Sequence, residues 1–294
     1  YGTGRLRTRK KERRGLQTLQ KFNRQMGYTD CMNAEPNEKL MADWFERMTL
    51  KCLQNQQKSG KREKMPQLAV VEEAICTCFR KINGCKDVTM MFELDTRRIM
   101  MEYTDNTGQH CRLALNELSD GYKNTLSMIG DIAYRMAVLN PQLGTDILKK
   151  TPGIVLIDEI DLHLHPEWQR TILEDLQSIF PQVQFVATSH APAVIGSVKK
   201  EDVRILGGGQ AVIPAQQTYG RDANSIFREI MKVEERPKEV GQLLSEFYQS
   251  IDNGDLERAE TLLSKIEDIV GYTDPEINGA RVTLDFERMG EEFE

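Results

Sequence analysis

The chain has 294 residues, of which 39% are hydrophobic and 29% charged, with a formal net charge of −6. That length buries a core in one large domain or two modest ones, and no apolar run approaches the ~20 residues that a membrane-spanning helix needs. The start is basic without an apolar stretch, so no secretory signal is visible, and the six cysteines show no CxxC pair or disulfide framework, which points to reduced thiols in a cytoplasm.

Charge is unevenly spread. Residues 1–24 hold nine Lys and Arg against Glu12, whereas residues 232–294 hold seven basic and seventeen acidic residues. A basic arm can follow a phosphate backbone and an acidic end repels one, although both also suit plain solvated surfaces.

In chain order, Leu40, Trp44, Met48 and Cys52 recur every fourth residue and predict a helix from near Asn37. After the break "QQKSGKREKMP", Leu68, Val71, Ile75, Phe79 and Ile82 form the stripe of a second helix. "DVTMMFEL", "RIMMEYT" and "HCRLALN" read as strands, the last two joined by the turn "DNTGQ". A helix is expected from about Gly121 to Asn140, and "GIVLID" reads as a parallel-sheet strand buried on both faces. "PEWQRTILEDLQSIF" reads as one helix opened by proline, "VQFVATSH" as a second buried strand and "DVRIL" as a third. Strand, helix, strand with short joints is a βαβ unit, so this part is α/β. After "LGGGQ" the pattern turns helical and acidic, with helices near 222–232, 237–252 and 255–270.

The chemistry gathers at strand ends, where open α/β sheets place their ligands. Asp158 and Glu159 follow four apolar residues, the Walker B pattern. The Asp of such a pair holds Mg²⁺ through a coordinated water and the Glu orients or deprotonates the attacking water. Alone, that pattern also fits a strand running into a polar turn. His190 ends the next strand, in reach of a γ-phosphate. Ser119, Asp120 and Gly121 open a helix whose hydroxyl and free N–H groups make an anion site.

The order of "LSDGY", "IVLIDE", "LHLHP" and "ATSH" resembles the ATP-binding-cassette superfamily in its RecF/OLD-like branch, over about residues 115–206. "LSDGY" stands as the signature motif, with Asp120 where glycine is usual. "LHLHP" stands as the D-loop, and His190 as the switch histidine. The resemblance narrows, through "YGTGR", "LSDGYKN" and the tail after "DANSIFREIM", to the ATPase subunit of Septu and retron-associated Septu-like antiphage defence systems. It implies an α/β ABC-type head, a P-loop NTPase core with a mostly parallel sheet, carrying a helical insertion at about 35–83 and a helical acidic C-terminal region. On that reading residues 1–206 are the head and residues 207–294 a candidate partner-docking segment.

Further implications are ATP and Mg²⁺ as cofactors, with Asp158 on the metal, Glu159 and His190 catalytic, and Ser119, Asp120, Gly121 and His165 on the nucleotide. Expected partners are a second copy in a head-to-head dimer, an HNH-family nuclease, nucleic acid, and a retron reverse transcriptase with its DNA–RNA product; no membrane is expected. No G-x-x-x-x-G-K-[S/T] is present, and "KSGKR" lacks the first glycine and the hydroxyl. In the family the P-loop lobe precedes "YGTGR", so the sequence reads as the part that follows it.

Other readings compete. His163 and His165 beside Asp158, Glu159 and Asp161 invite a metal site, but residues of one strand end and turn cannot all converge. No Asp-x-Asp follows residue 206, which argues against an intrinsic nuclease domain. A RecF/SMC-type repair or chromosome-maintenance ATPase is the runner-up; it would need a long coiled-coil insertion or a DNA-clamping lobe, and no sustained heptads are seen. A nucleotide-binding subunit with negligible turnover stays open. Leu243, Leu244, Phe247, Tyr248 and Ile251, then Leu256, Leu262, Leu263 and Ile266, give stripes able either to dock a partner or to pack within the chain.

Overall fold

Helical spacing accounts for the first two elements of the computed structural model, which describes residues 1–3, 27–33, 38–60, 64–234 and 236–291. Most of the basic arm lies outside these residues. Helix α1 spans Glu38–Ser59 and helix α2 spans Pro66–Asn83. In α1 the buried stripe is Met41, Trp44, Phe45 and Met48, rotated from the expected Leu40–Cys52 stripe because Phe45 and Met41 carry the larger apolar area inward. In α2 Leu68, Val71, Ile75 and Phe79 are buried as expected, and Cys76 and Cys78 are buried beside them. Gly84 ends α2 in a left-handed conformation, φ 62°, with its N–H bonded to the Arg80 carbonyl, a cap that side chains with a Cβ resist.

Strands β1 (Lys86–Glu93), β2 (Arg98–Thr104) and β3 (His110–Ala114) form an antiparallel meander in that order. The Asp105 carboxylate accepts from the N–H groups of Thr107 and Gln109 and closes the β2–β3 turn. Helix α3 (Asp120–Leu139) then runs back and packs on α2, burying Leu126, Ile129, Ala133 and Tyr134. Trp44 lies edge-on to both Phe45 and Tyr134, and Phe45 stacks on Phe92, so the helical segment shares one core with the meander and α3. Each fully buried ring of this kind contributes about 1.5–3 kcal/mol.

A short helix α4 (Ile147–Lys150) leads into β4 (Gly153–Ile157). The next helix breaks in two, α5 (Pro166–Gln169) and α6 (Ile172–Ile179), with Arg170 and Thr171 at the joint, where the sequence suggested one continuous helix. Strand β5 (Val183–Ala187) pairs with β4 in parallel, Ile157 opposite Ala187, and a short helix α7 (Pro192–Ile195) follows. On its other edge β4 bonds the backbone of Tyr1. The Tyr1 N–H donates to the Leu156 carbonyl at 2.7 Å, and the Asp158 N–H donates to the Tyr1 carbonyl at 2.7 Å. The Tyr1 hydroxyl donates to Asp131 at 2.6 Å, and Arg135 binds the same carboxylate oxygen at 2.8 Å, which ties residue 1 to α3.

The expectation that "GIVLID" and its neighbour are buried on both faces is corrected. Val155, Ile157 and Phe185 face the core, but Ile154, Leu156 and Val186 are 69%, 56% and 50% exposed. Successive strand side chains point to opposite faces, and among the described residues only one face is covered.

"DVRIL" is also corrected. It forms β6 (Ile205–Gly207), an exposed hairpin with β7 (Gln210–Val212) outside the parallel sheet, because "LGGGQ" turns the chain straight back through Gly208 and Gly209, both at positive φ.

The chain divides into two compact units, residues 1–203 and 204–294. After a short turn of helix, α8 (Ala223–Ser225), and a π-helical turn (Ile226–Met231), the second unit consists mainly of α9 (Lys238–Asp252), α10 (Leu256–Val270) and α11 (Pro275–Glu291). Leu244, Phe247, Leu256, Leu262, Leu263 and Ile266 bury against one another and against Ile277, Ala280 and Leu284. The apolar stripes offered for docking are therefore largely spent on the unit's own core.

Candidate functional site at the tips of the parallel strands

The ends of β4 and β5 are interlocked. Beyond the last ladder pair, the Thr188 N–H donates to the Ile157 carbonyl at 2.9 Å, and the Ile160 N–H donates back to the Thr188 carbonyl at 3.0 Å. Between them the Thr188 hydroxyl donates to Asp158 Oδ1 at 2.6 Å and accepts from the Glu159 N–H at 2.8 Å. Glu159 is left-handed, φ 48°, a conformation costing a non-glycine residue about 1–3 kcal/mol, and these bonds hold it there. The Ser189 hydroxyl donates to Asp161 at 2.5 Å and accepts from the Ala191 N–H, fixing the following turn. Thus Asp158, Glu159 and Asp161 all hang on the two hydroxyls that precede His190, whose side chain is exposed. Sequence reasoning passed over Thr188 and gave Ser189, beside His190 in "ATSH", no role of its own. The available signal was two hydroxyl residues immediately past the strand partner of Ile157.

The signature segment comes to the same region from α3. Ser119 sits at the N-cap position, but its hydroxyl makes no capping bond and is exposed, so it is presented outward with the first-turn amides. Asp120 is held by Lys123 at 2.8 Å, and this ammonium keeps its carboxyl below the usual range. The pairing moderates the repulsion that a carboxylate in place of glycine would exert on a phosphate. Gly121 is buried against the next loop: a Cβ there would lie 2.3 Å from the His163 carbonyl oxygen. His163 is itself left-handed, φ 62°, which turns that carbonyl toward α3.

His165 caps α5, its Nδ1 accepting from the Glu167 N–H at 3.4 Å, and its ring is exposed. Trp168 bridges this loop to α3 by an edge contact with Tyr122, ring centroids 4.3 Å apart. The Tyr122 hydroxyl donates to Asn83 at 2.5 Å, and the Tyr122 ring contacts Phe79. A continuous run of rings therefore joins the loop after β4 to α2. Lys81 of α2 also pairs with the buried Asp175 of α6 at 2.9 Å.

The donor set at the strand tips is oxygen only: one carboxylate backed by a hydroxyl, with a second carboxylate beside it. This suits Mg²⁺, which takes few protein ligands and keeps its waters. Among the described residues no group of three or more His, Cys, Asp and Glu is gathered as for a transition metal. None of the described helices is long and apolar enough to cross a membrane.

Comparisons with known proteins match this part of the chain. The family model described as "AAA domain, putative AbiEii toxin, Type IV TA system" matches residues 103–196, which run from β2 through Ser119, Asp158 and His190. The "Retron Vc95 probable ATPase" of Vibrio cholerae is 34% identical over 150 residues, covering 48% of this chain and 29% of that protein. The "Retron Ec83 probable ATPase" of Escherichia coli is 31% identical over 217 residues, 73% of this chain and 38% of that protein. The "Septu protein PtuA" of Bacillus mycoides is 40% identical over 92 residues, 31% of this chain and 12% of that protein. The alignments span well under half the length of these curated relatives. The chain is similar to the retron ATPases and the Septu proteins, and residues 103–196 match the AAA domain model within an α/β fold.

Proposed function

We propose that the chain is part of an ATP-hydrolysing subunit of an antiphage defence complex, with its hydrolytic residues at the tips of β4 and β5. The observation that carries this reading is the Thr188 hydroxyl, which holds Asp158 and the Glu159 backbone together at one point. Asp158 would hold Mg²⁺ through water, and the ion would supply charge neutralisation on the phosphates. Glu159 would take the proton of the attacking water. His190, at the exposed end of the neighbouring strand, would donate to the γ-phosphate. Ser119, which is exposed, and the amides around the buried Gly121 would bind phosphate oxygens of a nucleotide held by a second copy; His165 stands at the end of the loop after β4, next to this segment.

The names of the relatives support placement in a retron or Septu system. In that setting dimer closure on ATP would control an associated HNH-type nuclease, and nucleic acid or a reverse transcriptase with its DNA–RNA product would be further partners. The differential affinity of ATP for the closed dimer would supply the bias. Closure would reach α2 through Trp168, Tyr122 and Phe79, whose rings touch in sequence.

Glu159→Gln in the native protein tests the reading. Phosphate release should fall about 10²–10⁴-fold while ATP is still retained, and dimers should accumulate. Unchanged phosphate release would remove Glu159 from the chemistry and leave a nucleotide-binding subunit as the better account.

A further inference from the structure

The acidic second unit contains a basic cavity. A concavity of about 880 Å³ opens beside the start of α9, and its wall carries Arg228, Lys232, Arg236 and Lys238 against Glu234 and Glu276. This volume lies in the range of small-molecule sites. The surrounding unit has the opposite sign, with seventeen acids to seven bases over residues 232–294, so these cations form a local pole in an acidic body. Four cations against two carboxylates leave the wall net positive, and positive charge focused in a concavity attracts anions more strongly than the chain's net charge implies.

One of these cations is held in place. Arg236 is fixed by two bonds, Nη2 to Asp274 at 2.8 Å and Nε to Glu276 at 2.8 Å, and among the described residues its Nη1 has no partner. Lys232 is left-handed, φ 55°, at the end of the π-helical turn, which reverses the chain and sets Lys232 on the cavity wall. Pro237 caps α9 without a side-chain bond, so first-turn amides of a 15-residue helix open beside these cations.

The cavity floor then runs along one face of α9. Lys238, Gly241, Ser245 and Tyr248 all line it, at spacings of three and four residues. Nothing lies within 4 Å of where a Gly241 side chain would begin, so this glycine leaves the floor open. Tyr248, 38% exposed and braced edge-on by the buried Phe247, closes the far end. Lys238 and Tyr248 are about 15 Å apart along the axis, further than a lone phosphate reaches. A ligand touching both ends carries an anion and, beyond it, a flat apolar group.

We propose that this cavity is a second binding site, for a nucleotide: its phosphate on Lys232, Arg236, Lys238 and the α9 amides, its base against Tyr248. The nucleotide can be free or the end of a single strand, since a positive wall with an exposed ring serves both. The site lies wholly within residues 204–294 and does not depend on ATP hydrolysis elsewhere in the chain.

Photocrosslinking to the native protein tests the assignment. The probe is a short 5′-phosphorylated oligothymidine strand carrying one 5-iodouracil base, used without ATP or Mg²⁺. The expected result is a crosslink in the peptide holding Tyr248, with anisotropy showing about tenfold weaker binding for Tyr248→Leu and for Lys238→Gln. Both changes are on the surface, and circular dichroism confirms the fold. Competition by free thymidine monophosphate assigns the site to a nucleotide itself, and competition by the strand alone assigns it to a strand end. Crosslinks confined to other peptides, unchanged affinity in both variants, or displacement by an oligoglutamate peptide without a Tyr248 crosslink would each overturn the proposal.

Discussion

The tips of β4 and β5 and the helices α9–α11 use apolar residues in opposite ways. At the strand pair, Ile154, Leu156 and Val186 stand in solvent while charged and hydroxyl groups are tied down by short bonds. In the helical unit, Leu244, Phe247, Leu263 and Ile266 are all inside, and the charges lie outside in pairs such as Arg236 with Asp274. The first region spends its order on holding carboxylates in place; the second spends it on a self-sufficient core. Strained, polar geometry marks the first region as the candidate site, and packing makes the second a body that stands on its own core.

The sharpest way to break this contrast is to empty the scaffold. Phe247→Ala should cost about 3–5 kcal/mol, since the ring is fully buried. Hydrogen exchange should show α9–α11 losing protection while α3 and β4 keep theirs; loss in both units together would mean that they do not stand as separate bodies. Gly121→Ala makes the reverse cut. Its Cβ meets a backbone oxygen that cannot rotate away, so a cost of about 1–3 kcal/mol should appear as lost protection in α3 and in residues 160–168 alone.

Thr188→Val keeps the shape and removes both hydroxyl bonds, at about 0.5–1.5 kcal/mol each, since water reaches the exposed groups they leave. The expected sign is a raised Mg²⁺ requirement for phosphate release, rescued by Thr188→Ser; an unchanged Mg²⁺ dependence would make Thr188 structural only. Acid should produce the smallest effect. The Arg236 guanidinium holds the Asp274 carboxyl below its ordinary value, so this pair stabilises the helical unit above about pH 4 and is lost as pH falls through the lowered value. The loss should be about 1 kcal/mol or less, because the pair is near the surface, and Arg236→Gln should abolish that step in an acid titration.

Much of this was legible in the residues themselves. The run Ile154–Ile157 ending in Asp158 marked a strand with a carboxylate just past its end, and the spacing of Leu68, Val71, Ile75 and Phe79 marked α2. What the pattern could not supply was environment. A continuous apolar strand implies cover on both faces, yet which face is covered depends on neighbours that no local period encodes. The joint at Arg170–Thr171 went unseen because no Gly or Pro marks it. Helix α11 was missed because its inward face is only Ile277, Ala280 and Leu284, while Val282, Phe286 and Met289 form a rival stripe that remains exposed. Thr188 was missed because threonine at a strand end needs no explanation until its hydroxyl is seen between two acids.

The claim that Ser119 and Glu159 serve one nucleotide from two copies is tested most directly by mixing subunits. Native protein bearing Ser119→Arg and native protein bearing Glu159→Gln should each fail to release phosphate. Mixed in equal amounts before nucleotide is added, they should recover about a quarter of the unaltered rate, because a mixed two-fold pair rebuilds one intact site. A mixture as inactive as its parents, with mixed pairs shown to form, would contradict the account.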